Sequence, residues 1–214
     1  VSHRARLASL DWRLYVILDP AALLPGASLL DVAAAAIDGG ARLLQLRDKS
    51  SSSADLYAAA CALTTLCDAR GALCIINDRL DVALAAGAHG AHLGPDDLPM
   101  SAARRIAPDL VLGGSTGSPE RARELVDHGA DYLGCGAIFD ALASKPNASA
   151  PRGPAILTAV TRAVSCPVVG IGGVSLDNIA QLRDAGAHGA AVIRAVCSQP
   201  DPAAATRDLL SRWG

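Results

Sequence analysis

The sequence predicts an α/β fold, a single (β/α)8 TIM barrel, and three observations carry that prediction. Short apolar runs alternate with Ala- and Leu-rich helical stretches, eight of each. A recurring phrase marks the returns from helix to strand: Gly39-Gly40-Ala41, Gly87-Ala88-His89-Gly90, Gly129-Ala130-Asp131 and Gly186-Ala187-His188-Gly189. In it Gly supplies the left-handed residue that closes a helix, and the small Ala lets the chain turn into the next strand. No linker or composition break interrupts the series. Residues 1–13 therefore read as an N-terminal extension and 14–214 as one catalytic barrel, with a doubly wound open sheet as the fallback.

Taken in order, strand Leu14–Leu18 leads to helix Leu29–Asp38, and Leu43–Leu46 to Ser53–Ala69. Strand Leu73–Ile76 precedes a short helix over Leu80–Ala86, and Gly90–Leu93 precedes Ser101–Ile106. Val111–Gly114 is followed by Pro119–His128, where Ser118 and Pro119 mark a helix start and Glu120 suits the positive helix end. The last three pairs are Tyr132–Cys135 with Ala155–Val164, Val168–Ile171 with Leu176–Ala185 (Ser175 reading as its start), and Ala190–Ile193 with Pro202–Arg212.

Composition narrows the class. At 214 residues, 51% hydrophobic and 19% charged, the chain can bury one large core. A net charge of −2 gives no electrostatic reason to expect nucleic acid or a membrane surface, and no apolar run is long enough for a membrane span. The six cysteines form no C-x-x-C pair and mostly sit in apolar runs, which fits buried thiols of a reduced, cytoplasmic protein.

A barrel of this type carries its chemistry at the C-terminal strand ends. Sorted by strand, those ends hold Gln45-Leu46-Arg47-Asp48-Lys49 after the second, Asn77 and Asp78 after the third, and His92, Asp96 and Asp97 after the fourth. Alternation sends Gln45, Arg47 and Lys49 to one side. The fifth ends in Gly113-Gly114-Ser115-Thr116, and the sixth loop, 138–153, contains Ser144 and Lys145. Gly172-Gly173 after the seventh and Ile193-Arg194 after the eighth lie where this barrel usually cradles phosphate. Asp78 and Asp97 emerge from parallel neighbours on one rim, an arrangement suited to a divalent cation holding a polyphosphate. Each residue alone has a plainer reading: a turn residue, a solvated charge, a tight turn or, for His92, a satisfied core histidine. Their collection at successive strand ends favours a site.

Gly113-Gly114-Ser115-Thr116-Gly117 also fits the G-x-S-x-G nucleophile elbow. His128 and His188, the histidines that follow it, fall in the helix-to-strand phrase at the opposite rim, which excludes a triad of that order.

Together these segments resemble the thiamine-phosphate synthase family. The likeness runs from Leu14 to Val196 and rests on the 14–19, 45–49, 76–81, 92–99, 115–116, 130–136 and 170–174 segments. The resemblance implies a (β/α)8 transferase that joins a hydroxymethylpyrimidine diphosphate to a thiazole phosphate and releases pyrophosphate. It implies that Gln45, Leu46, Arg47, Asp48, Lys49 and Asn77 bind the pyrimidine diphosphate and that Asp78 and Asp97 ligate Mg2+. Ser115 and Lys145 would meet the leaving pyrophosphate, and Arg47, Lys49, Ser115 and Lys145 form the catalytic set. Ser144, Gly173, Ile193 and Arg194 would line the thiazole phosphate site. The implied partners are small phosphorylated molecules, with homo-oligomerisation left open.

Three positions depart from the family pattern: Asp140-Ala141-Leu142-Ala143-Ser144-Lys145 in place of P-T-x-T-K, Gly117 in place of a His, and Arg194 in place of a common Ser. All three lie on the thiazole side or its approach. A thiazole tautomerase-like barrel or a non-catalytic regulatory barrel are the alternative readings.

Overall fold

A computed structural model describes residues 3–140 and 151–214 and contains eight parallel strands closed into a barrel in sequence order. The strands are β1 Leu14–Leu18, β2 Leu43–Leu46, β3 Leu73–Asn77, β4 Gly90–Leu93, β5 Val111–Thr116, β6 Tyr132–Gly136, β7 Val168–Ile171 and β8 Gly189–Val192. Helices α1 Leu29–Asp38, α2 Ser53–Arg70, α3 Leu80–Ala85, α4 Met100–Ile106, α5 Pro119–Asp127, α6 Pro154–Ala163, α7 Ile179–Asp184, α8 Arg194–Cys197 and α9 Pro202–Trp213 surround it. β1 pairs with β8 through Tyr15 and Ala191, which closes the ring.

Both faces of the strands are apolar because both are buried. Leu14, Val16, Leu18, Leu44, Leu46, Cys74 and Ile76 face the helices. The alternate positions Tyr15, Ile17, Leu43, Leu73, Ile75, Val111, Tyr132 and Val169 fill the barrel. Trp12, Leu7 and Leu10 pack against this inner cluster. The His3–Ser9 turn of 3-10 helix thus seals the N-terminal end of the barrel, and residues 3–13 are packed against it.

The recurring phrase has a second physical cause beyond its glycines. Gly40, Gly87, Gly129 and Gly186 all adopt positive φ, as helix closure requires. The polar residue that follows caps a backbone donor on the preceding strand. His89 Nδ1 accepts from Cys74 N at 2.9 Å, Asp131 Oδ2 from Leu112 N at 2.9 Å, and His188 Nδ1 from Val168 N at 3.2 Å. Each would otherwise leave a buried N–H without a partner at a strand start.

The structure differs from the sequence reading at element ends. β3, β5 and β6 run one or two residues further than expected, because parallel pairing continues to Asn77↔His92, Thr116↔Cys135 and Gly136↔Ile171. α7 starts at Ile179, not at Leu176: the Asn178 side chain accepts from Ser175 N and donates to Gly173 O, holding 173–178 as a turn. The short α8 was not anticipated. All six cysteines are free thiols, and among the described residues no helix is long and apolar enough to cross a membrane.

Candidate active site

The strand ends open into a cavity of about 480 Å3, including its mouth. Its polar lining comes from Gln45, Arg47, Asn77, His92 and Ser115, and its apolar lining from Ile17, Val169, Ile171, Ala191 and Ile193. The alternation of β2 aims Gln45 and Arg47 inward, as the sequence implied. Leu46 is 1% exposed and faces the helices, so it can meet a ligand only through its backbone. Asp48 also turns away: its carboxylate accepts from the amides and hydroxyls of Ser50 and Ser51, shaping the loop before α2.

Asp19, which follows β1, is a site residue that the sequence reading passed over. Its Oδ1 accepts from Ala21 N at 3.0 Å, and its Oδ2 pairs with the Arg47 guanidinium. The signal was available, since Asp19 is the polar residue at the first strand end.

The carboxylate pair is the electrostatic centre of the rim. Asp78 adopts φ +63°, the left-handed region, which Asp tolerates better than most side chains. Asp78 N donates to His92 O at 2.8 Å, tying the end of β3 to β4. Burial pushes the Asp78 carboxyl up, but hydrogen bonding to Lys49 and to Asp97, with the Lys49 charge, holds it below the usual carboxylate range. Asp97 goes the other way, raised by burial and by the Asp78 carboxylate, against the amide of Gly94 that it accepts from at 2.7 Å. Two carboxylates in one site resist a second negative charge. Lys49 pairs with Asp78 in their midst.

That charge arrangement fits a hard divalent cation, which takes carboxylate oxygens and completes its shell with water or phosphate. Among the described residues, no group of three or more His, Cys, Asp or Glu gathers as a metal cage. A cation here would rest on Asp78 and Asp97 and draw its remaining ligands from elsewhere.

Ser115 is bonded to a histidine, but to one that precedes it. His92 Nε2 lies 3.0 Å from Ser115 Oγ, and His92 Nδ1 lies 3.1 Å from Tyr132 Oη. The plain reading of His92 as a satisfied barrel histidine is therefore met, and the ring also reaches the cavity. Its Nδ1 faces the Tyr132 hydroxyl, where a hydrolase triad places a carboxylate, so these two bonds do not compose that triad.

On the opposite side, Gly172 and Gly173 take positive φ and lie tight against the start of the sixth loop: a Cβ on Gly172 would stand 2.6 Å from Ala137 Cβ. Ile193 lines the cavity, and the exposed Arg194 opens α8. Ser144 and Lys145 lie outside the described residues. Arg152, unmarked by the sequence reading, donates to Gly117 O at 3.1 Å. A Cβ on residue 117 would stand 2.8 Å from the Arg152 Cζ, so Gly117 makes room for that guanidinium.

Known proteins align with the whole of this barrel. The family model described as thiamine monophosphate synthase matches residues 14–196. A thiamine-phosphate synthase of Methanospirillum hungatei is 44% identical over 199 residues, covering 92% of this chain and 96% of that protein. One of Chloroflexus aurantiacus is 45% identical, over 93% of this chain and 91% of its own length. The solved structure of a thiamine phosphate pyrophosphorylase from Pyrococcus furiosus superimposes with a TM-score of 0.85 at 36% identity, covering 98% of this chain and 96% of the other.

Proposed function

The chain belongs to the thiamine monophosphate synthase family, and from that premise we propose how its barrel mouth performs the coupling. It is a thiamine-phosphate synthase, a transferase acting on small phosphorylated substrates. The tautomerase-like alternative has no comparable support, since relatives that match nine-tenths of the chain carry the synthase name.

The observation that carries the site assignment is the carboxylate pair Asp78 and Asp97 with Lys49 at the strand ends, together with Arg47 in the lining of an apolar-walled cavity. In our reading Gln45 and Asn77 orient the aminopyrimidine, and Asp78 and Asp97 hold Mg2+. When bound, the cation would neutralise charge on the departing pyrophosphate. Arg47, its guanidinium fixed by Asp19, meets the diphosphate without having to be ordered on binding. Lys49, paired with Asp78, would be the cation nearest a phosphate oxygen held at those carboxylates. Ser115 donates to the pyrophosphate, and Lys145, outside the described residues, is assigned to the same group by the family resemblance. The electron-rich pyrimidine can support a positive methylene carbon, so the C–O bond can break before the thiazole nitrogen attacks. Ile17, Val169 and Ile171 then keep water from that carbon. The protein contributes placed charge and needs no side-chain nucleophile.

We place the thiazole phosphate near Gly173, Ile193 and Arg194, with Ser144 as a further donor. The six free thiols support a reduced, cytoplasmic setting. A coupling assay with both substrates, with and without Mg2+, tests the reading by following thiamine phosphate. Formation without any divalent cation, or undiminished turnover in Asp78→Ala and Asp97→Ala, would refute the metal assignment.

A further inference from the structure

Two tyrosines inside the barrel have no place in the chemistry above, yet they connect two residues that do. Gln45 Nε2 donates to Tyr15 Oη at 2.6 Å. Tyr15 Oη lies 2.9 Å from Tyr132 Oη, which lies 3.1 Å from His92 Nδ1. His92 Nε2 ends the series 3.0 Å from Ser115 Oγ. Both ends of this chain, Gln45 and Ser115, line the same cavity.

The series has a self-consistent proton direction that starts at Gln45. With the amide nitrogen donating to Tyr15, the Tyr15 hydroxyl sends its own proton to Tyr132. Tyr132, having accepted, sends its proton to His92 Nδ1. The imidazole then carries its hydrogen on Nε2 and donates it to Ser115 Oγ. Ser115 cannot pass its proton back to that nitrogen, so the hydroxyl hydrogen is directed to the cavity. In this direction His92 does not act as a general base on Ser115. Burial pushes both phenols above their ordinary range, which keeps both protons in place.

We infer that Tyr15, Tyr132 and His92 are positioning residues, a polarised hydrogen-bond chain that holds Ser115 as a donor toward the pyrophosphate of the substrate. The inference rests on the reading of Ser115 given above. Replacing both tyrosines by phenylalanine would keep the shape but leave the buried Gln45 amide and His92 Nδ1 without these partners, so the hydroxyls are tied to the two residues that reach the cavity. The barrel wall leaves room for both rings: an added Cβ on Gly113 would collide with the Tyr132 ring, and one on Gly134 would stand 3.2 Å from His92 Cε1.

Tyr132→Phe tests it, since the ring keeps its packing and only the hydroxyl is lost. With histidine-labelled full-length protein, 15N NMR should read His92 as the Nε2–H tautomer, its signal assigned by loss in His92→Asn. In Tyr132→Phe the His92 signal should move toward the Nδ1–H tautomer, with Nε2 now accepting from Ser115. We expect kcat to fall by about 10-fold or more, of the order lost when the outer hydrogen-bond partner of a metal-ligating histidine is removed. KM for the pyrimidine diphosphate should change less than the rate, and the same substitution in a Ser115→Ala background should add less than about twofold. The Nδ1–H tautomer in the wild-type protein overturns the chain itself, a result that needs no variant to fold. An unmoved tautomer with unchanged kcat in Tyr132→Phe overturns it equally. Full activity of Ser115→Ala beside a shifted tautomer overturns the functional role through failure of the site reading.

Discussion

Gly113 and Gly114 are adjacent in β5, and substituting each by Ala should separate the two faces of the barrel wall. Gly113 faces inward beneath Tyr132: its added Cβ would stand 2.5 Å from Tyr132 Cε1, and closer still to Cζ and Oη. Carbon atoms rest at about 3.5–4.0 Å, so the ring must recede by more than about 1 Å. It has little room to do so, with Trp12 at 5.3 Å, Tyr15 at 5.9 Å and His92 at 5.5 Å between ring centroids. Overpacking of this kind costs roughly 1–3 kcal/mol, against a gain of about 0.4–1 kcal/mol from stiffening the unfolded chain. The steric cost wins. For a domain of this size each kcal/mol moves Tm by about 2–4 °C, so Gly113→Ala should melt several degrees below wild type. Gly114 faces Leu125 and Met100, and its Cβ would stand 3.1 Å from Leu125 Cδ1 and 3.2 Å from Met100 Cε, the ends of flexible side chains. Gly114→Ala should therefore melt within about 2 °C of wild type. Thermal unfolding followed by circular dichroism, with turnover measured on both, decides the matter. Equal melting of the two variants, or a Gly113→Ala protein as stable and active as wild type, would refute the packing described for Tyr132.

Three further outcomes follow from the charge placement. Asp97→Asn keeps an oxygen for Gly94 N but removes the like charge facing Asp78, so the protein without metal should melt higher while calorimetric Mg2+ binding is lost; retained binding would count against the pair as ligands. Asp19→Asn leaves Arg47 without its anion, and KM for the pyrimidine diphosphate should rise by about tenfold while the fold persists, an effect the size of one charge-assisted hydrogen bond. His89 is 1% exposed, and burial, partly offset by its bond to Asp68, lowers its pKa below 6.5. Its folded form prefers the neutral ring, so the unfolded chain binds more protons just below pH 6.5 and stability is lost as pH falls through that range. The urea midpoint should drop from pH 7.5 to 5.5, and His89→Asn should flatten that dependence.

Much of this was legible in the sequence because a parallel barrel makes local signals and global fold agree. Apolar runs set the strands to within a residue or two, and the Gly-Ala phrase marked four of the returns. Asp78 and Asp97 could be placed on one rim because the segment between their strands is too short for anything but a single crossover. What could not be read is which side of an all-apolar strand faces inward. Leu46 looked like part of a binding stretch, yet its side chain belongs to the helix layer. Tyr15 and Tyr132 looked like ordinary core residues, because nothing local distinguishes a tyrosine packed by its ring from one aligned by its hydroxyl. The bond between His92 and Ser115 crosses two adjacent strands, and only their register brings the two residues together.

The aromatic inventory gives that interior its meaning. The chain has two Trp, three Tyr and one Phe, and three of these, Trp12, Tyr15 and Tyr132, stack inside the barrel. A barrel interior is ordinarily filled by branched aliphatic side chains, which pack without polar obligations. Here two buried hydroxyls occupy the layer beneath the cavity, each with its hydrogen-bonding needs met by the next group. Every other buried side-chain nitrogen or oxygen among the described residues is likewise satisfied, except the Thr64 hydroxyl beside the helix layer. A fully satisfied network of this kind tolerates few alternative arrangements, because reversing one proton leaves a donor facing a donor. With the direction inferred above, the interior aligns its hydrogen bonds as well as its shape. The cavity floor is thereby set before substrate arrives, and reorientation of Ser115 need not accompany bond cleavage. That preorganisation is where electrostatic catalysis gains most.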